Sequence, residues 1–553
     1  MKILLNKLFR ISLIILFLTA CSESILDENP PNILAGETIF KDLAGFEASL
    51  NGLYNIARHG RWQSEKIENA LNGVDNMTSN YTRSKIFYNW EGTNSPADDD
   101  LLETFNWLYE IVNASNSIIY YANDAKINWT GGSSTPDVNK NRVIAEARAL
   151  RAWAYRRLTY SWGDVPLTLS LETTVKTDWE RTPVAEVRKQ AIKDYKFAQE
   201  FIPTEASLRG RMTKGAVQTL LAEMYLTIGK QDSALYWCDQ AINNPAYKLV
   251  TARYGVNKTV ASGSAFGDMF KEGNQNREQG NTEALWVFQF ELANAVDAQG
   301  SELSRALTSN YNLWVIPGKA GQTGVKALTY TAERGGRGKS YFTPTKWWID
   351  SYEKQDDRAQ NYILRKYFVL SNATVNAPYA ADKLPAGYAF GDTVWCKSLQ
   401  PITATNWSLP DWPYSRKSES CDPANMANDF GFYDQIYMRL ADTYLLKAEA
   451  QLKLGNPTDA ATTINVIRAR SKATPVLAAA VNLDYILDER SRELFIEEER
   501  RGTLLRTHKW YERTKANNFF GGDKITLRDT LFPIPQDVID ANLTKPFPQN
   551  PGF

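Results

Sequence analysis

The sequence predicts a mainly α fold in which helical hairpins form a scaffold and an irregular, loop-rich lobe carries a few short strands. Three observations predict it. Apolar residues recur at three- and four-residue steps near both ends of the chain, which places them on one helix face. One helix–turn–helix pattern occurs twice at a fixed offset. Between residues 247 and 429 that periodicity gives way to long stretches rich in Gly, Asn, Tyr and Trp.

The chain begins as an export signal. Lys2, Lys7 and Arg10 precede an apolar run over residues 11–18, and Leu18-Thr19-Ala20-Cys21 reads as a lipobox whose cysteine is acylated and becomes the new N-terminus. Residues 1–20 are then the signal peptide and residues 21–35 a polar tether with Pro30-Pro31. Acyl chains on Cys21 anchor the protein without a transmembrane helix, each buried methylene contributing about 0.8 kcal/mol. The apolar run is itself short for a membrane span.

Residues 36–553 read as one domain. Its scaffold is expected at about 38–58, 101–245 and 433–515, and its loop-rich lobe at about 59–100 and 246–432. Phe46, Leu50, Leu53 and Tyr54 mark the first helix, and Val143, Ala147, Leu150, Ala154 and Leu158 the stripe of another. A further helix spans 184–201. Ala222, Leu226, Gly229, Ala234 and Cys238 then match Ala448, Leu452, Gly455, Ala460 and Ile464, always 226 residues apart. The first copy is similar to the tetratricopeptide pattern, in which small residues let two helices approach and a glycine ends the first. Two copies are too few to stand alone, so other helices must complete the stack. The second copy is expected to be helical from Tyr437, with Met438 on its stripe. Residues 483–511 read as one long helix, and residues 533–553 as an extended, proline-rich tail. Within the lobe, residues 284–290 are a strand candidate.

Composition excludes some functions. Lys and Arg number 63, as do Asp and Glu, with no basic run, so nucleic acid is not an expected partner. Two histidines, His59 and His508, form no plausible zinc set and read as surface or capping residues. Glu497-Glu498-Glu499 reads as a solvated helix face. Residues 335–340 mimic the end of a phosphate loop, but Glu333 stands where the first glycine is required. No catalytic constellation, metal set or cofactor motif emerges. A glycosidase needs two carboxylates facing each other across a cleft, and nothing in the spacing signals that pair.

Several segments together resemble the SusD/RagB family of surface lipoproteins. They are Glu146-Ala147-Arg148-Ala149-Leu150-Arg151-Ala152-Trp153 leading to Trp162-Gly163-Asp164-Val165-Pro166-Leu167, Arg439-Leu440-Ala441-Asp442-Thr443-Tyr444 leading to Glu449-Ala450, and Glu489-Arg490-Ser491-Arg492-Glu493-Leu494 leading to Arg500-Arg501. Pro344-Thr345 with Asp350, Tyr352, Asp357 and Arg358, and the ending from Pro533-Ile534-Pro535-Gln536 to Pro551-Gly552-Phe553, complete the set. The resemblance implies a tetratricopeptide-like scaffold and a surface-exposed site on the outer membrane. It also implies a SusC-like TonB-dependent transporter as partner, and an oligosaccharide or polysaccharide, or in some branches a peptide, as cargo. A surface glycosidase and a scaffold that binds only protein are the rival classes.

A sugar site needs aromatic faces for pyranose C–H groups and polar side chains for hydroxyls. In such proteins the site is drawn from one early and one late loop. Here these supply Asp75, Asn76, Asn80, Tyr81, Arg83 and Trp90, then Tyr311 and Trp314 with Asn310 and Asn312. The alternative for Trp90 and Trp314 is packing of the lobe, and for Asp75 and Arg83 a structural ion pair. Trp153, Trp162 and Trp237 lie within helix patterns and read as core. Cys238 sits at a packed hairpin position. Cys396 and Cys421 are candidates for a disulfide, closing a loop of about 25 residues for roughly 3 kcal/mol; the alternative is two free thiols.

Overall fold

The computed structural model describes residues 36–61, 69–79, 85–172, 174–291, 300–372, 381–396 and 410–553. The signal segment, the tether and Cys21 lie outside the described residues. Helices of seven residues or more are numbered in chain order. α1 (Leu43–Arg58) and α2 (Asp99–Tyr121) each begin where an aspartate, Asp42 or Asp98, accepts a bond from an orphan amide of the first turn. α3 (Pro136–Trp162) starts ahead of its apolar stripe, because Thr135 caps the Val138 amide and Pro136 fits the first turn. α1, α2 and α4 (Val184–Phe201) pack around α3. Val143, Leu150, Trp153, Leu158 and Trp162 are all buried there, while Trp237 packs at the edge of the same core.

The two matched hairpins are α5 (Lys214–Thr227) with α6 (Gln231–Ile242), and α7 (Leu440–Lys453) with α8 (Pro457–Arg470). Gly229 and Gly455 turn them at φ 71° and 82°. The hairpins stack on each other. Ala222, Leu226, Ala234 and Cys238 share a core with Leu446 and Ala450, while Ala448, Ala460 and Ile464 close on Ile486 beyond.

Two helix expectations fail. Tyr437 and Met438 belong to a strand, β10 (Gln435–Arg439), which pairs antiparallel with β2 (Ala284–Phe288), and α7 begins only at Leu440. Every residue of both strands is buried, so each supplies the other's backbone partners. The long helix expected over 483–511 is broken into α9 (Leu483–Leu494) and α10 (Arg500–Arg506), with α11 (Trp510–Asn517) following. The break falls at Phe495 and Ile496, the latter at φ 65°. It turns Glu497, Glu498 and Glu499 inward to Arg439, Arg490 and Arg156, at 2.5, 2.5 and 2.8 Å. These glutamates are therefore buried ion-pair partners rather than a solvated face. Their pairs offset a backbone strain of order 1–3 kcal/mol at Ile496. His59 caps α1 and His508 is exposed just after α10.

Short antiparallel pairs build the irregular part: β1 (Met77–Ser79) with β5 (Phe342–Pro344), β3 (Val315–Ile316) with β4 (Val325–Lys326), β6 (Leu364–Arg365) with β9 (Tyr414–Ser415), and β7 (Tyr367–Val369) with β8 (Thr393–Trp395). β3, β4, β7 and β8 enclose a second core around Tyr311, Trp314 and Phe368. The C-terminal tail is fastened to the end of α3. Phe532 donates to Ser161, the Trp162 indole donates to Pro533, and Asn550 donates to Trp162 and Phe532. Asp164 meanwhile accepts from the Val184 amide, starting α4. The tryptophan–glycine–aspartate run and the chain ending are thus one device.

Candidate functional site

Asp75, Asn76 and Trp90 come together, but as buried anchors. The Asp75 carboxylate has no exposure and accepts from Arg500 at 2.8 and 2.7 Å and from Arg513 at 2.7 Å. Burial pushes this carboxyl up, yet the two guanidiniums override it and hold it below the ordinary range. Asn76 donates to Ser491 at 2.8 Å. Trp90 is fully buried, its ring edge-to-face with Phe87 and Trp510 and beneath the Arg501 guanidinium. These three side chains are spoken for and present nothing to a ligand, which corrects the expectation for them. The ion pair weighed for Asp75 does exist, with Arg500 and Arg513 as its partners. Asn80, Tyr81 and Arg83 lie outside the described residues.

Tyr311 and Trp314 belong to the second core instead. Tyr311 is fully buried against Phe368, with its hydroxyl donating to the Gly336 carbonyl, and Trp314 is 4% exposed beside the same ring. Lobe packing, not ligand contact, is their role. Asn310 is buried as well, its amide donating to Ser340, and Asn312 is half-buried. The early and late groups therefore occupy separate cores.

The disulfide expectation is also corrected. Cys396 and Cys421 are free thiols. Cys396 packs at the border of the second core, where burial pushes its thiol up to about 12. Cys421 instead lies 3.3 Å from the Tyr433 hydroxyl.

An aromatic surface does exist, on β7 and β8. Side chains alternate across a strand, so Phe368 and Val394 enter the core while Tyr367, Val369, Thr393 and Trp395 share the outer face. Tyr367 and Trp395 are directly opposite in register, their rings 4.8 Å apart, and Trp395 is 61% exposed. Asn361 fixes the approach, accepting from the Lys366 and Tyr367 amides at 2.7 and 3.0 Å. Lys366, of the same parity as Phe368, is half-buried, and burial holds its ammonium below the ordinary lysine range despite Asp350 and Asp356 nearby. Flat rings beside a threonine hydroxyl can stack on a sugar and bond its hydroxyls. The alternation Tyr367-Phe368-Val369 and Thr393-Val394-Trp395 was the signal for this pair. It is only three residues long on each side, too short to separate from loop by periodicity alone.

Among the described residues no group of three or more His, Cys, Asp or Glu is placed to hold a metal ion. No described helix is long and apolar enough to cross a membrane.

Comparison with known proteins adds the lineage. A model of the SusD family matches residues 282–553, and one described as starch-binding and associating with outer membrane matches residues 25–226. SusD-like protein P2 of Formosa agariphila is 24% identical over 589 aligned positions, covering 99% of this chain and 100% of that one. Among solved structures, a laminarin-binding SusD-like protein aligns with TM-score 0.64 at 21% identity, over 93% of this chain and 100% of its own. A SusD homolog from Bacteroides thetaiotaomicron aligns at 0.69 and 16% identity, over 94% and 98%. Surface glycan-binding protein A from the same organism aligns at 0.64 and 18%, over 93% and 100%. Two family matches in order along one chain, on a fold shared nearly end to end with these structures, have one consequence: the chain belongs to the SusD/RagB family.

Proposed function

We propose that this protein is a non-catalytic glycan-binding lipoprotein of the cell outer membrane, and that Tyr367 and Trp395 form part of its ligand surface. The exposed aromatic pair is the observation that carries the reading: the apolar C–H face of a pyranose laid on a solvated tryptophan and tyrosine removes their ring surface from water. The relatives named for laminarin and for surface glycan binding support a saccharide as the ligand class. The family model's association with outer membrane supports the location. In this reading the signal segment is removed, Cys21 carries the lipid, residues 21–35 form the tether, and residues 36–553 act as one binding domain. Asn80, Tyr81 and Arg83 are further proposed contacts, and a SusC-like TonB-dependent transporter receives the cargo.

The test is affinity electrophoresis and calorimetry of the mature protein against laminarin, starch and other polysaccharides, with Trp395→Ala beside wild type. Retardation by one glycan, lost in the variant, supports the reading. Release of new reducing ends would favour a hydrolase, and unchanged binding by Trp395→Ala would remove the ledge from the site.

A further inference from the structure

We propose that a second saccharide site, for one neutral pyranose unit, lies in the groove between α2, the segment before α4 and the C-terminal tail. This groove has a volume of about 390 Å³. Phe105, Tyr109, Trp179 and Phe547 give it aromatic walls, while Asn106, Thr168, Lys176 and Asp537 supply its polar groups.

Its walls are held in place before any ligand arrives. Tyr109 donates its hydroxyl to the Pro166 carbonyl at 2.7 Å. Asn542 grips the Trp179 backbone at both ends, accepting from its amide at 2.6 Å and donating to its carbonyl at 3.1 Å. Leu543 also donates to Thr177 at 2.8 Å. Rigid walls lower the ordering cost of binding.

Thr168 is already bonded to Tyr155, its hydroxyl at 3.2 Å, but the other three polar groups are uncommitted. Asn106, Lys176 and Asp537 are exposed, and among the described residues their side chains have no hydrogen-bond partner. Lys176 merely rests over the Trp179 ring, 4.2 Å from its centroid. The Trp179 indole N–H is likewise without an acceptor among the described residues.

Size, polarity and charge select the occupant. The volume lies in the small-molecule range and is too small for the face of a stable protein partner. An acyl chain would cover the aromatic walls but make no use of the amide, the ammonium and the carboxylate at their rim. One cation opposes one anion in the groove, so a charged ligand gains little. A neutral pyranose has an apolar C–H face for the rings and hydroxyls for Asn106, Asp537 and the indole N–H. The groove shares no element with the β7–β8 ledge, so the two sites are separable by mutation.

The experiment uses the full mature chain carrying 5-fluorotryptophan, with the Trp179 fluorine resonance assigned through Trp179→Phe. Cellobiose, maltose and laminaribiose are titrated to millimolar excess, with sodium octanoate as the apolar probe. The expected result is a saturable shift of the Trp179 resonance with at least one disaccharide. That shift should persist in Trp395→Ala and need about tenfold more sugar in Asn106→Ala/Asp537→Ala. No shift with any disaccharide, or a shift with octanoate alone, overturns the proposal. A silent Trp179 in a protein whose ledge still binds glycan overturns it without touching the ledge. A responsive Trp179 beside an inert ledge does the reverse.

Discussion

Arg500 holds Asp75 across 425 residues of chain through two parallel bonds, Nε to Oδ1 at 2.8 Å and Nη2 to Oδ2 at 2.7 Å. Arg513 adds a third bond from α11, and the Trp510 indole donates to the Gly73 carbonyl one step away. The early loop is thereby sewn to the last helices of the scaffold. What looked like a ligand-facing acid is the knot.

Asp75→Asn should therefore cost stability, not recognition. Removing one charge leaves Arg500 and Arg513 buried without it, a loss of about 3–5 kcal/mol. Differential scanning calorimetry should show a thermal midpoint lowered by several degrees, while glycan affinity per folded molecule stays at the wild-type value. The opposite pattern, normal melting with lost binding, would return Asp75 to the ligand site.

Trp314→Ala and Trp395→Ala should separate in the same way. Trp314 is buried against Phe368, so its truncation opens a cavity costing about 3–5 kcal/mol. Trp395 is mostly solvated and its loss should shift the urea midpoint little. Only the Trp395 variant should lose glycan retardation on a native gel. Equal losses of stability would mean that the ledge is part of the packed core.

The two hairpins predict equal penalties. At Gly229 and Gly455 an added Cβ meets no atom within 4 Å, so only the positive φ of 71° and 82° opposes alanine. Gly229→Ala and Gly455→Ala should each destabilise by about 1 kcal/mol, measured by urea unfolding. A much larger cost at one position would show that the repeats are not turned by the same device.

These contrasts also say what the sequence could carry. The hairpins were legible because glycine, alanine and apolar positions repeat at one offset, a local signal that packing reinforced. Trp153 and Trp162 were legible because they lie within the helix pattern of α3. Trp90 and Trp314 were not, because an aromatic between turn residues looks the same whether it stacks on a sugar or on Trp510. Glu497, Glu498 and Glu499 misled more deeply. Charged triplets usually face water, and only the backbone reversal at Ile496 brings them to arginines up to 343 residues away. Burial of charge depends on partners distant in sequence, and such partners leave no periodicity.

Those buried charges set the acid limit of the fold. Glu489 and Glu449 have no exposure, and burial alone would push both carboxyls up from 4.5. Arg358, Arg492 and Arg468 around Glu489, and Arg506 and Lys453 around Glu449, reverse this and hold each at about 2. Glu493, facing Arg470, Arg439 and Arg358, is held down as well. A folded pKa below the unfolded one means stability that is complete above the unfolded value and lost as pH falls through the folded value. Each of these groups contributes on the order of 3 kcal/mol above that window. The urea midpoint should be flat down to about pH 5 and fall steeply toward pH 2. Glu449→Gln should be less stable at neutral pH, because Arg506 loses the carboxylate it bonds at 2.7 and 2.8 Å. Its acid slope should also be shallower by about one proton, since the group that took up that proton is gone. A variant with the wild-type slope would show that Glu449 is not among the carboxylates whose protonation unfolds the chain.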